Sequence, residues 1–299
     1  MKVVELSGGV GGARMARGLA AIPDVDLTVV VNVGDDERVH GLHVSADIDT
    51  VIYTLAGIEG PEGWGRAGDT FTFNDELARY RVDNRFRLGD RDLALNLYRT
   101  NRLAKGIPLS AITVEIAASF DLEAVVLPAT DDYLRTTVRT DAGWLAFQEY
   151  FVLRGNRDEV HEVSFEGGEH ASAAPGVVEA IENADLVVIA PSNPPLSIWP
   201  ILAVREIRDA VGRHSRVVAV SPLIGGKALK GPADRVMASL GLPDGNAGVV
   251  AAYQGLVGIL VIDDTDAGDA PLEVTTVATD TLIKDLDSSR RLAGEIIRL

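Results

Sequence analysis

Two short acidic motifs in the first fifty residues carry the strongest chemical signal. Asn32-Val33-Gly34-Asp35-Asp36 is followed closely by Ser45-Ala46-Asp47-Ile48-Asp49-Thr50. Carboxylates grouped in this way suit Mg²⁺, a hard cation that takes one or two carboxylates together with substrate phosphates. The competing reading is that Asp47 or Asp49 merely caps a helix. Just upstream, Ser7-Gly8-Gly9-Val10-Gly11-Gly12-Ala13-Arg14 lies between an apolar run and a helical pattern. Glycines there allow close backbone approach, and a helix N-terminus offers free N–H groups and a positive partial charge to an anion. No Lys-Ser/Thr follows, so this is not a P-loop; it is a relaxed dinucleotide fingerprint, or else a tight structural turn. An anion loop beside the four aspartates tips them toward metal.

Other candidates lie further along. Arg87-Leu88-Gly89-Asp90-Arg91-Asp92 opens a long helical stretch. Its arginines could clamp phosphate or a planar heterocycle, or form surface ion pairs. His40 and His43 lack an obvious third metal ligand and read as a satisfied or solvent-exposed pair. Ala190-Pro191-Ser192-Asn193-Pro194-Pro195 and Ser221-Pro222-Leu223-Ile224-Gly225-Gly226-Lys227 each follow an apolar strand. Hydroxyl, amide and glycine groups at two strand ends on one sheet edge suit the rim of a site, although Pro-Pro is also an ordinary turn signal.

The elements that must hold these motifs alternate. Apolar runs at Lys2–Leu6, Leu27–Asn32, Asp185–Ala190, Arg216–Val220 and Leu256–Ile262 read as buried parallel strands. Helical spacing appears at Ala13–Ala21, Val177–Asn183, Ile198–Val211 and Ala233–Leu240. Strand–helix alternation predicts an α/β fold, Rossmann-like, with a mostly parallel sheet and helices on both faces. Residues 45–110 read as mainly helical, clearest at Asp75–Tyr80 and Arg91–Lys105. Residues 112–163 read as short strands, with a hairpin at Thr136–Gly143. A single domain of 1–299 is expected, its core at about 1–44 and 175–299 and a capping insertion at about 45–174.

Composition narrows the class. The 299 residues are 46% hydrophobic and 24% charged, as in ordinary globular proteins. Cysteine is absent, which excludes disulfides and thiolate chemistry. The charge of -16, from 28 basic against 44 acidic residues, argues against a general nucleic-acid binder. An anionic ligand must therefore rely on local donors, Arg or metal. No apolar run reaches membrane-spanning length and the N-terminus has no signal-peptide pattern, so a cytoplasmic location is expected.

Taken together, the stretches SGGVGGARMARGL, VVNVGDDERVHGLHVSADIDTVIYTL, LGDRDLALNLYRTNRLAKGIPLS, LPATDDYLRTTV, APSNPPLSIWPIL and VSPLIGGKALKGPADRVM resemble the 2-phospho-L-lactate transferase family of coenzyme F-420 biosynthesis, whose bacterial members are called phosphoenolpyruvate transferases. The resemblance runs in order from residue 3 to about 240 and is looser beyond. One departure is Trp199, where the family pattern has Gly, a change expected to reshape the nucleotide pocket. The resemblance implies transfer of a 2-phospholactyl or related group from its guanosine diphosphate ester to the ribityl 5′-hydroxyl of the deazaflavin Fo, with release of GMP, by a homodimer. It implies that Gly8, Gly9, Gly11, Gly12, Ser192, Asn193, Ser221, Gly225 and Lys227 hold the nucleotide, and that Asp49 and Arg87 contact Fo. Asp35 and Asp49 are the expected Mg²⁺ ligands and catalytic groups, with Asp36 and Asp47 in reserve. On that reading Asp49→Asn costs at least ~10² in turnover and leaves folding nearly unchanged. The rival classes are an NAD-dependent dehydrogenase, which lacks its ribose-binding acid here because Asn32 ends the second strand, and a nucleotide-binding regulatory protein.

Overall fold

The computed structural model describes residues 1–83 and 85–299. The chain opens with a βαβ unit: β1 (Lys2–Ser7), α1 (Gly9–Ala20) and β2 (Asp26–Val31). A hairpin of β3 (Glu37–Val39) and β4 (Leu42–Val44) leads into α2 (Ala46–Leu55), α3 (Thr72–Arg79), α4 (Asp90–Leu103) and α5 (Leu109–Ala118). Next come β5 (Val125–Pro128), the strands β6 (Arg135–Thr140), β7 (Gly143–Ala146) and β8 (Glu162–Glu166), then α6 (Val177–Glu182) and β9 (Leu186–Ile189). Helices α7 (Trp199–Ala203) and α8 (Arg205–Arg213) lead to β10 (Val217–Val220) and the ribbon of β11 (Leu223–Ile224) and β12 (Lys227–Ala228). The last elements are α9 (Ala233–Ser239), α10 (Gly245–Ala252), β13 (Ile259–Asp263), β14 (Thr275–Thr279) and α11 (Leu286–Ile296).

Seven strands form one sheet in the order β14-β13-β10-β9-β1-β2-β5, and every pairing in it is parallel. The central strands are apolar throughout: all four residues of β9 and of β10 are buried. Such strands cannot be read as half-solvated, so both faces must be covered. From β1 the chain winds outward to β2 and β5, then returns to β9 and winds the other way. Right-handed crossovers in opposite directions put α1 on one face and α8 on the other. The order reverses between β1 and β9, and the carboxyl ends of those two strands face the crevice where open α/β sheets bind ligands.

The expected insertion at 45–174 is narrower than its outline in the sequence. Strand β5 is an edge of the main sheet, in register with β2 from Thr28↔Val125 to Val31↔Pro128. Ile48, Val51, Ile52 and Ile112 belong to the main core, so α2 and α5 are part of the body. Helix α5 replaces an expected strand because Leu109, Ile112 and Ile116 recur at helical spacing and are buried. The true cap is the three-stranded antiparallel sheet β7-β6-β8, with its own cluster of Val138, Leu145, Phe147 and Tyr150 closed against Leu196 and Val236. The helix expected over Ile198–Val211 is broken at Val204, whose extended backbone turns its side chain into the core.

One core residue is out of type. Glu5, in the middle of β1, is 0% exposed, and neither carboxylate oxygen has a hydrogen-bond partner among the described residues. Burial pushes its carboxyl well above the usual range, against a smaller opposing pull from Ser7. A raised folded pKa means that the stability present in acid is lost as pH rises through that value. Glu5→Met should therefore melt higher than the parent protein at pH 8, with the gap closing toward pH 5. Equal melting curves at both pH values would contradict the buried-acid assignment.

Candidate active site at the β1–β9 switch point

The glycine loop closes the carboxyl end of β1. Gly9, the first residue of α1, has φ +65, a left-handed value that disfavours any side chain. Gly11 lies so close to the Pro191 carbonyl that a Cβ would collide with it. The loop is tied to the loop after β9 through Ser192, whose Oγ donates to the Gly8 carbonyl at 2.7 Å and accepts from the Gly8 N–H at 3.3 Å. Asn193 Oδ1 accepts from the Leu196 N–H at 3.2 Å and caps the turn that follows. The structure thus brings Gly8–Gly12, Ser192 and Asn193 together, but uses both polar side chains to hold loops. The anion-seeking amide is also engaged: Gly9 N–H donates to Asp47 Oδ1 at 2.8 Å.

Asn32 organises the acids. Its Nδ2 donates to Asp35 Oδ1 at 2.9 Å and to Asp47 Oδ2 at 3.0 Å, while its Oδ1 accepts from Gly34 N–H at 2.7 Å. Burial, reinforced by the charges of Asp47 and Asp36, raises the Asp35 carboxyl well above the usual range. Burial also lifts Asp47 to about 6, with the Asn32 and Gly9 hydrogen bonds pulling the other way. Asp36 accepts from Ser45 Oγ at 2.6 Å and meets His43 Nε2 at 2.9 Å, and its second oxygen is buried with no hydrogen-bond partner among the described residues. The cap sheet seals this pocket, since Gln148 Nε2 donates to the Asp35 carbonyl at 2.9 Å and Thr136 N–H to the Gly34 carbonyl at 2.6 Å.

Asp49 has a partner of its own, although the charge of Asp36 still reaches it. Both of its oxygens are taken by the Arg99 guanidinium, which is 0% exposed. Burial outweighs that ion pair and lifts the Asp49 carboxyl to about 6. The expected pairing of Asp35 with Asp49 is therefore not the grouping that the structure makes; Asp35 sits with Asp47 and Asp36. Among the described residues no three His, Asp or Glu side chains are gathered closely enough to hold a metal by themselves.

The remaining candidates are spread around this centre. Ser221 Oγ donates to Asn246 Oδ1 at 2.6 Å, and Gly225 N–H donates to Thr265 Oγ1 at 3.1 Å, so their loop is braced against the C-terminal part of the sheet. Lys227 Nζ lies 3.3 Å from Asp234. Arg87 is on the strap between α3 and α4, 2.9 Å from Asp75 and with its guanidinium 4.7 Å from the Phe71 ring centroid. Its contacts do not reach Asp49. His40 stands near Phe73, ring centroids 6.2 Å apart, whereas His43 has joined the acid cluster through Asp36. Trp199 Nε1 donates to the Ala252 carbonyl at 2.7 Å, anchoring α7 to α10.

Arg99 and Gln148 gave no warning in the sequence. Arg99 stands on a polar helix and finds Asp49 fifty positions away, a contact that no local periodicity encodes. Asn32 was visible as a polar residue ending an apolar strand, and that signal marks the organiser of the site.

Comparison with known proteins places the chain in a family. The model of the family described as 2-phospho-L-lactate transferase CofD matches residues 3–292. A 2-phospho-L-lactate transferase from Methanopyrus kandleri is 42% identical, covering 100% of this chain and 97% of the relative. A phosphoenolpyruvate transferase from Streptomyces griseus is also 42% identical, covering 100% of this chain and 98% of the relative. A crystal structure of a UPF0052 family member from Bacillus halodurans superposes with a TM-score of 0.65 over 99% of this chain and 98% of that one, at 17% identity, and so supports the fold alone. No helix among the described residues is long and apolar enough to cross a membrane. With the family model spanning nearly the whole chain, including the glycine loop and the aspartates around Asn32, the protein belongs to the CofD family and is a transferase of the 2-phospho-L-lactate transferase type.

Proposed function

We propose that this transferase moves a 2-phospholactyl, or enolpyruvyl phosphate, group from its guanosine diphosphate ester to the 5′-hydroxyl of Fo in coenzyme F-420 biosynthesis. The hydroxyl oxygen forms a new bond to the phosphorus that carries the three-carbon acid. The pyrophosphate P–O bond breaks, GMP leaves, and the hydroxyl proton passes to a base. The observation that carries this reading is the convergence of the glycine loop and three aspartates on one crevice at the β1–β9 switch point.

Mg²⁺ fits this donor set. Asp35, Asp36 and Asp47 are mutually repelling, and among the described residues they have no Lys or Arg partner in a hydrogen bond or ion pair, and one buried Asp36 oxygen has no partner. Asp35 together with Asp36 or Asp47 would hold the ion, and substrate phosphates would complete its shell. When bound, it supplies charge neutralisation to the transferring phosphoryl group. Asp49, locked to Arg99, is better suited to orienting the acceptor, with Arg87 offering a planar face to the deazaflavin. A carboxylate lifted to about 6, as Asp47 and Asp49 are, can hold a proton near neutral pH. Positioning matters more than base strength for a primary hydroxyl attacking phosphorus.

The direct test is a mass spectrum of the product formed from Fo and the candidate guanosine diphosphate esters, with GMP release followed alongside. The same spectrum identifies the three-carbon acid, and failure of every ester would overturn the assignment. Nucleotide choice is read separately. GDP at 100 times its Kd should stabilise the native state by about 2.7 kcal/mol and raise the melting temperature, whereas NAD should not. Equal stabilisation by NAD would restore the dehydrogenase reading. The homodimer and the cytoplasmic location belong to the same proposal, and sedimentation of the purified protein checks the first.

A further inference from the structure

The segment after α2 folds back on itself beside the glycine loop. Glu59 and Arg66 form an antiparallel bridge. Gly60 N–H donates to the Gly65 carbonyl at 2.9 Å and Ala67 N–H to the Ile58 carbonyl at 2.9 Å. At the tip of this small hairpin Trp64 is 54% exposed. Leaving so large an apolar side chain open to water is costly unless something covers it.

Three contacts fix the tip between two loops that are far apart in sequence. Gly63 packs on Val10 of the glycine loop so tightly that a Cβ would come within 2.5 Å of Val10 Cγ1. Arg17 of α1 pairs with Glu59 at 2.6 Å at the base of the hairpin. On the other side Lys230 Nζ donates to the Glu62 carbonyl at 2.7 Å and stands over the Trp64 ring, 5.4 Å from its centroid. Lys227 and Lys230 are two of the chain's five lysines, and both lie in the segment just after β11. The hairpin therefore spans from the first turn of α1 to the loop that carries Lys227 and Lys230. Of these anchors, Val10 belongs to the glycine loop and Lys230 follows the Ser221–Lys227 loop, both expected at the nucleotide, whereas Phe71 precedes α3 and Arg87 precedes α4.

We infer that Trp64 is the stacking platform for the purine base of the donor nucleotide. An indole ring accepts a nucleobase π-face without regard to hydrogen-bonding pattern, and the lysine over the ring places positive charge beside the phosphates that follow the base. The inference rests on the nucleotide donor of the proposed function, and the experiment separates the two. GDP, inorganic pyrophosphate and Fo are titrated calorimetrically into the parent protein, Trp64→Ala and Trp64→Phe, with melting temperatures recorded. The expected result is a roughly tenfold to hundredfold weaker GDP affinity in Trp64→Ala, near-parent affinity in Trp64→Phe, and unchanged pyrophosphate affinity and melting temperature. If the parent protein binds GDP and Trp64→Ala binds it equally well, the platform is wrong and the donor reading stands. An equal loss of pyrophosphate, or a loss confined to Fo, would also overturn it, the first making the hairpin a general lid and the second assigning Trp64 to the acceptor. A parent protein that binds no GDP would remove the donor reading itself and this inference with it.

Discussion

Asp35→Asn is expected to lower turnover by at least about 10²-fold while raising the melting temperature. Loss of a fixed electrostatic group at a reacting phosphoryl centre costs on that scale. The stability change has the opposite sign for a reason visible in the fold. Asp35 is buried beside Asp47 and Asp36, and its carboxyl is raised well above the usual range, so at neutral pH its ionised form is held at a cost. Asparagine keeps an oxygen to accept from Asn32 Nδ2 and removes the charge. Steady-state transfer assays with and without EDTA, paired with thermal melts of the ligand-free protein, give both numbers. Unimpaired turnover in the variant, or full activity of the parent protein in EDTA, would remove Asp35 and the metal from the mechanism.

Arg99→Met should destabilise the protein by about 3–5 kcal/mol at pH 8, the range for breaking a buried ion pair by removing one partner. The guanidinium is fully enclosed and reaches both oxygens of Asp49 as well as Asn96 Oδ1 at 2.6 Å. Because the folded Asp49 carboxyl titrates at about 6, the cost should shrink toward pH 5, where Asp49 is protonated with or without its partner. Asp49→Asn should also be less stable than the parent protein, since it strands Arg99. The sequence alone suggested a nearly unchanged fold, and the buried partner is the reason to expect otherwise. The double variant should recover a good part of the loss. Denaturant titrations at the two pH values decide it: a cost under about 1 kcal/mol, or one independent of pH, would show that the pair is solvated in solution.

The strands and loops around the crevice were legible because they are local. Lys2–Leu6 and Leu27–Asn32 are too uniformly apolar for anything but strands covered on both sides, and glycines after the first of them demand a close approach. The four aspartates were visible as a group for the same reason. Their partition was not: Asp47 turns toward Gly9 and Asn32, Asp49 toward Arg99, and two residues of spacing on one helix cannot say which neighbour each will meet. The cap was misjudged at its edges because β5 is a four-residue apolar run, and so short a run does not reveal whether it joins the main sheet or a separate one. The elements after residue 245 went largely unread, since Gly245–Ala252 is small-residue helix with little amphipathic contrast and Thr275–Thr279 is half-exposed edge strand.

The contact between Gly9 N–H and Asp47 has a thermodynamic consequence for any anion that reaches the start of α1. That amide already holds a carboxylate, so occupation by a phosphate oxygen is an exchange of one anion for another, not an addition. The displaced carboxylate remains tethered to α2 and, through Asn32, next to Asp35, so the negative charge leaves the helix end without leaving the pocket. Net affinity at this amide is the difference between two similar hydrogen bonds, and the driving force for phosphate has to come from whatever compensates the charge that accumulates around Asn32.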